Sequence, residues 1–142
     1  NYIKNNHINL SSISLNRASE IIVDIRSSIL PDPIQVPNVG SFFKNPTINK
    51  NEINTSKFNL EDLIIWQYDS DTVKVGAARL IQLVKNDLEN FNNVSIYSNH
   101  ALVLISNGKA TQRDILSFAN NIKDVVNETF NISLDIEPTV IN

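Results

Sequence analysis

The sequence predicts an α+β domain, with helices packed on a small mixed or antiparallel sheet. Three observations lead there. Three stretches repeat apolar residues at helical spacing, several short runs read as strands, and the two kinds are not strictly alternated as a parallel α/β sheet would require. At 142 residues, with 42% hydrophobic and 19% charged residues, the chain has the size and composition of one folded core.

The elements follow in order. Residues 1–13 show no sustained period and read as a linker or tail, leaving 14–142 as a single domain. From Ser14, Ala18, Ile21, Ile22 and Ile25 recur at helical spacing, with Ser14 or Asn16 able to cap the start. The run Leu30-Pro31-Asp32-Pro33 ends that helix, because proline can neither donate to it nor fit inside it. Residues 49–59 are polar and long for a structureless connection, which marks them as functional or partly helical. Asp69-Ser70-Asp71 signals a turn, and Ala77, Leu80, Ile81 and Val84 mark a short second helix. Residues 94–97 and 101–105 read as strands, followed by a tight turn at Asn107-Gly108. Thr111 and Asp114 make a capping-box start for a long helix ending near Glu128, with Ile115, Phe118, Ala119, Ile122, Val125 and Val126 on its apolar face. Residues 132–136 alternate as a last strand.

Composition narrows the chemistry. A net charge of −3 without a basic block argues against nucleic acid. No run approaches the ~20 apolar residues of a membrane span. There is no cysteine, so thiolate chemistry is excluded and a reducing compartment fits. His7 and His100 are too few and too separated for a zinc motif, so no metal is expected. Three glycines, at 40, 76 and 108, cannot build a phosphate-cradling loop. The chain also lacks methionine and has no signal-like start, which reads as a piece of a longer protein.

The densest stretch is Pro37-Asn38-Val39-Gly40-Ser41-Phe42-Phe43-Lys44-Asn45-Pro46. It sets a turn glycine, a hydroxyl, two aromatics, a cation and an amide between two prolines. Taken alone it reads either as a strand start with a Gly-Ser turn or as part of a site, and the turn is the commoner use of such residues. If extended, it turns Ser41 and Phe43 one way and Phe42 and Lys44 the other. Lys44, Asn45 and Lys74 could hold an anion, or simply face water. His100 reads as a rim residue, Glu137 as an exposed carboxylate, and Trp66 as a core or interface residue.

Gly40-Ser41-Phe42-Phe43-Lys44-Asn45-Pro46, preceded by Leu30-Pro31-Asp32-Pro33, closely resembles the C-terminal domain of UDP-N-acetylenolpyruvoylglucosamine reductase. Val73-Lys74-Val75-Gly76-Ala77-Ala78, His100-Ala101-Leu102-Val103-Leu104-Ile105 and the helix from Thr111 resemble further segments of the same family, so the likeness spans almost the whole chain. It implies a cytoplasmic bacterial enzyme that makes UDP-N-acetylmuramate, a peptidoglycan precursor, from UDP-N-acetylglucosamine enolpyruvate. NADPH is the reductant, through an FAD held mainly by N-terminal domains that this chain lacks and that would be its partners. The isolated chain would then be inactive.

By the same resemblance Ser41 is the proton donor, and Glu137 stands at the position of the family's catalytic glutamate. An ungapped register from Phe130, Asn131 and Leu134 puts Glu137 there and is preferred; anchoring on Glu137-Pro138 puts Thr139 there instead. Tyr2, Asn45, Lys74, Trp66 and His100 match substrate-contacting positions, and Gly40 is structural. The chain departs from the family pattern in several places. Ile29 stands where a basic residue is usual, Trp66 where a loop tyrosine closes over the nucleotide, and Ala78-Arg79 where Gly-Trp is usual. A glycine run before the Ala101 strand is missing. These departures support a second reading, a non-catalytic relative that kept the fold as a binding or structural domain.

Overall fold

The computed structural model describes residues 13–141. The first element is helix α1 (Leu15–Ile29), capped by Ser14, whose Oγ accepts from the Arg17 N–H at 3.2 Å. It stops at Leu30, which is extended, immediately before Pro31. Its expected apolar face is only partly used. Ile21 is buried at 5% exposure, yet Ile22 is 57% exposed. At 3.6 residues per turn Ile22 falls at the margin of the strip that Ala18, Ile21 and Ile25 share, and no described element reaches over it.

The remaining elements are β1 (Asn38–Ser41), β2 (Thr47–Asn49), β3 (Ile65–Gln67), β4 (Thr72–Val75), α2 (Ala77–Val84), β5 (Val94–Ile96), β6 (Val103–Ser106) and α3 (Gln112–Phe130). They form two antiparallel three-stranded sheets rather than one, ordered β1-β6-β5 and β2-β4-β3. The fold is thus α+β, as the mixed pattern predicts. α3 packs on α2 and β5. Val73, Val75, Leu80, Ile81, Val84, Ile122 and Val126 are fully enclosed between these layers.

α3 begins with the predicted reciprocal cap. Thr111 Oγ1 accepts from the Asp114 N–H at 3.2 Å, and Asp114 Oδ2 accepts from the Thr111 N–H at 2.8 Å. The helix runs to Phe130, two residues past the predicted end, and Asn131 closes it in the left-handed conformation at φ 57°. The chain after it is extended, with Ile132 and Leu134 buried, but it pairs only through a bridge of Ile136 with Phe43. The predicted last strand is therefore a single bridge. Two backbone bonds make that bridge, from the Lys44 N–H to the Asp135 carbonyl and from the Glu137 N–H to the Phe42 carbonyl.

The long polar stretch is ordered by its ends. Residues 50–52 and 60–62 are 3₁₀ turns, and Phe58 stacks on Phe130 at 5.5 Å. The Asn54 N–H donates to the Phe130 carbonyl, and Asn131 Nδ2 donates to the Glu52 carbonyl. The stretch is thereby tied to the C-terminal end of α3.

Residues 38–49 cross from one sheet to the other. β1 lies on β6, with a bulge between Asn38 and Ser41, where Gly40 sits at φ 77°. The Phe42 N–H then donates to the Leu102 carbonyl at 2.7 Å, and the Lys44 N–H to the Asp135 carbonyl at 2.9 Å. The Pro46 carbonyl accepts from the Val75 N–H at 2.9 Å as β2 joins β4. This crossover touches both sheets and the C-terminal segment. Phe42 and Phe43 are both buried and packed edge to face at 5.3 Å, so both faces of the segment are covered there.

Candidate functional site

Ser41 closes β1 opposite Val103 and is half-buried. No described residue bonds its hydroxyl, which leaves that hydroxyl free for a ligand. Asn38 holds the approach to it: Asn38 Oδ1 accepts from the Gly40 N–H at 2.9 Å, and its Nδ2 donates to the Val36 carbonyl at 2.8 Å. The turn thus has the positive φ that favours glycine.

Glu137 is brought to the next residue. Its N–H donates to the Phe42 carbonyl at 2.9 Å, and its carboxylate is exposed. Thr139 is also exposed and lies two residues on, among the residues lining an apolar groove. That groove, about 630 Å³, runs between β6, the start of α3 and residues 138–141. It contains no charged side chain, and it meets the crossover through Asn38, Val39 and Phe42.

On the second sheet Lys74 is directly opposite Thr47 on one side and Trp66 on the other. Cross-strand partners share a face, so a hydroxyl, an ammonium and an indole form one row. All three are exposed while Val73 and Val75 of the same strand are fully buried. Trp66 is 49% exposed and belongs to a paired strand, not to a core or a loop. Gly76 makes room for it: a Cβ there would lie 3.4 Å from Trp66 Cη2 and 3.2 Å from Ile64 Cβ. The role of Gly76 and the place of Thr47 in the row were missing from the sequence reading. The first needs the strand pairing of residues 65–67, which three residues of mixed character do not signal.

Asn45 lies between the two sheets. Its Oδ1 accepts from the Ala77 N–H at 2.9 Å, capping α2 from 32 positions away. His100 is half-buried in the β5–β6 turn, and its Nδ1 accepts from the Leu102 N–H at 3.3 Å, which puts the proton of the neutral ring on Nε2. The same turn reaches the crossover through Leu102 and Phe42. Ser41, His100 and Glu137 therefore lie towards one end of the first sheet. Lys74 and Trp66 sit on the second, with Asn45 between. Tyr2 lies outside the described residues. No described helix is long and apolar enough to cross a membrane.

Two small antiparallel sheets, joined by a serine-bearing crossover beside a lysine–tryptophan row, define an α+β domain with an exposed hydroxyl, ammonium and indole on one face. The comparisons name the family. Residues 32–141 match the model of the UDP-N-acetylenolpyruvoylglucosamine reductase C-terminal domain. The chain is similar to proteins named UDP-N-acetylenolpyruvoylglucosamine reductase from three bacteria. It is 34% identical to that of Flavobacterium johnsoniae, over 94% of this chain and 40% of the relative. Identity to that of Polynucleobacter asymbioticus is 35%, over 84% and 35%. For Buchnera aphidicola it is 34%, over 95% and 41%. The chain belongs to this C-terminal domain family. It spans about two fifths of the length of the curated relatives it matches. α1 precedes the matched region.

Proposed function

We propose that this domain is the substrate-binding and proton-donating part of a flavin reductase that converts UDP-N-acetylglucosamine enolpyruvate to UDP-N-acetylmuramate, a step towards peptidoglycan. The observation that carries this reading is the Ser41 hydroxyl, bonded by no described residue, on the Gly40-Ser41-Phe42-Phe43-Lys44-Asn45-Pro46 crossover of a chain in this family. With three glycines, at 40, 76 and 108, the sequence carries no Gly-rich loop of the kind that cradles a cofactor diphosphate. The flavin therefore belongs to domains outside this chain, and the isolated domain neither retains FAD nor turns over. Such an enzyme works in the cytoplasm, where NADPH and the nucleotide substrate are available.

The reaction saturates the enol ether double bond. A hydride equivalent, ultimately from NADPH, arrives at the methylene carbon, and a proton must reach the adjacent carbon. Ser41 gives that proton and is reprotonated from solvent. A neutral hydroxyl is a weak acid, so the step depends on its being held close to a carbon that is becoming electron-rich. Glu137 flanks it from the opposite segment, and positive charge from Lys74 favours the substrate's anionic groups. Trp66 offers a ring face beside that charge, and His100 a polar edge by Ser41.

The test is the full-length gene product with Ser41→Ala. NADPH should still reduce the flavin, while reoxidation by the enolpyruvyl substrate slows by about 10²-fold or more. A wild-type protein that shows no substrate-dependent reoxidation would overturn the reductase reading in favour of the non-catalytic relative.

A further inference from the structure

We infer that Asn38 is a positioning residue for the proton transfer, its side-chain amide clamping the chain on both sides of Pro37 so that Ser41 is held in place. The functional half of this inference rests on the reductase reading; the clamp rests on geometry alone. β1 is irregular just before Ser41. Asn38 pairs with Ile105 and Ser41 with Val103, so three steps along β1 face two along β6. The surplus residue is taken up in a turn where Gly40 has φ 77°. Ser41 follows directly, so any slack in that turn passes to the residue that carries the hydroxyl.

One side chain holds the turn from both ends. Asn38 Oδ1 accepts from the Gly40 N–H at 2.9 Å. Its Nδ2 donates to the Val36 carbonyl at 2.8 Å and to the Pro31 carbonyl at 3.3 Å. Pro31 is buried, and the loop after it is closed by the Val36 N–H, which donates to the Asp32 carbonyl at 2.8 Å. The Pro37 carbonyl accepts from the Ser106 N–H at 3.0 Å, which ties the same point to β6. Pro37 has no N–H of its own to add. The tie from this loop to the Gly40 turn thus runs through the Asn38 amide. The task needs donor and acceptor on one short side chain: ionised aspartate has no donor, and serine has a single hydroxyl for both. The clamp bears on chemistry because a neutral hydroxyl gives its proton only at close range, and small misplacements slow such a step steeply.

The test uses the full-length protein. Asn38→Ala removes all three bonds, while Asn38→Ser keeps a weaker acceptor for the Gly40 N–H. In Asn38→Ala the Gly40 amide should exchange with solvent about tenfold faster or more. Reoxidation of the flavin by the enolpyruvyl substrate should slow about tenfold or more, with a larger solvent deuterium isotope effect, because proton delivery has become the slower step. Asn38→Ser should lie between wild type and Asn38→Ala in both. Thr111→Ala, which removes the cap of α3, supplies a variant destabilised elsewhere, and its isotope effect should match wild type. Unchanged reoxidation in Asn38→Ala overturns the inference. Slower reoxidation with a wild-type isotope effect, or the same loss in Thr111→Ala, overturns it too, since the effect would then be one of stability. Unchanged Gly40 exchange in Asn38→Ala overturns the clamp itself. If wild type shows no substrate-dependent reoxidation, the reductase reading fails and the positioning role with it. The Gly40 exchange still reports the clamp, so that failure is distinguishable from the others.

Discussion

The Glu137 N–H donates to the Phe42 carbonyl at 2.9 Å, which fixes the C-terminal segment one residue from Ser41. The bridge of Phe43 with Ile136 sets the register. The two candidate acid positions then differ in surroundings: Glu137 flanks the crossover, while Thr139 borders the apolar groove. In the full-length protein, Glu137→Gln should slow substrate-dependent flavin reoxidation by about 10²-fold or more, whereas Thr139→Val should change it little. Stopped-flow absorbance of the flavin separates this step from its reduction by NADPH. The reverse ranking would move the acid position to 139.

Gly40 tests the turn before Ser41. At φ 77° an L-residue is strained, yet a Cβ there would meet nothing within 4 Å. Gly40→Ala should therefore cost about 1–2 kcal/mol from backbone strain alone. Gly40→Asn should cost less, because asparagine tolerates this region. Urea midpoints of the two variants give the comparison, and equal losses would point to a steric cause instead.

Phe43 is 1% exposed, and its backbone bridges to Ile136. Phe43→Ala should destabilise the domain by about 3–5 kcal/mol through lost burial and the cavity left behind. Phe43→Leu should cost much less. Chemical denaturation followed by far-UV circular dichroism measures both.

Trp66 is the only tryptophan, so its emission reports its own surroundings. Gly76→Val would press on Ile64 and on the indole, whose nearest atoms already stand 3.2 and 3.4 Å from a Cβ. The expected result is a shift in emission maximum together with a higher KM and a nearly unchanged kcat, as for a lost binding surface. An unchanged spectrum would mean that the ring does not rest on residue 76.

Asp114 makes the start of α3 sensitive to acid. Hydrogen bonds from the Thr111 backbone N–H first, and then its hydroxyl, hold the carboxyl below its ordinary value of 3.8. A carboxyl depressed on folding stabilises the fold above its unfolded value, and that contribution is lost as pH falls through the lower folded value. Asp114→Asn should therefore be less stable than wild type near neutrality, with the difference closing below pH 3.8. Urea midpoints across that range would show a constant gap if the bond to Thr111 did not matter.

Much of the fold was legible because its signals are local. Ser14, the prolines at 31 and 33, and the Thr111–Asp114 pair mark helix ends through bonds made within a few residues. Ala77, Leu80, Ile81 and Val84 lie on one helical face whatever surrounds them. The strands at 47–49 and 65–67 were not legible, since three residues of mixed polarity become a strand only when β4 lies between them. The same holds at the candidate site. That Ser41, Asn45 and Lys74 deserve notice comes from the sequence and from its likeness to a family. Only the tertiary structure decided that Asn45 serves Ala77, that Trp66 stands opposite Lys74, and that Glu137 reaches Phe42. Caps and periodicity are settled within one turn of chain, whereas these pairings join residues 8 to 95 positions apart, and only the packed core makes such closures favourable.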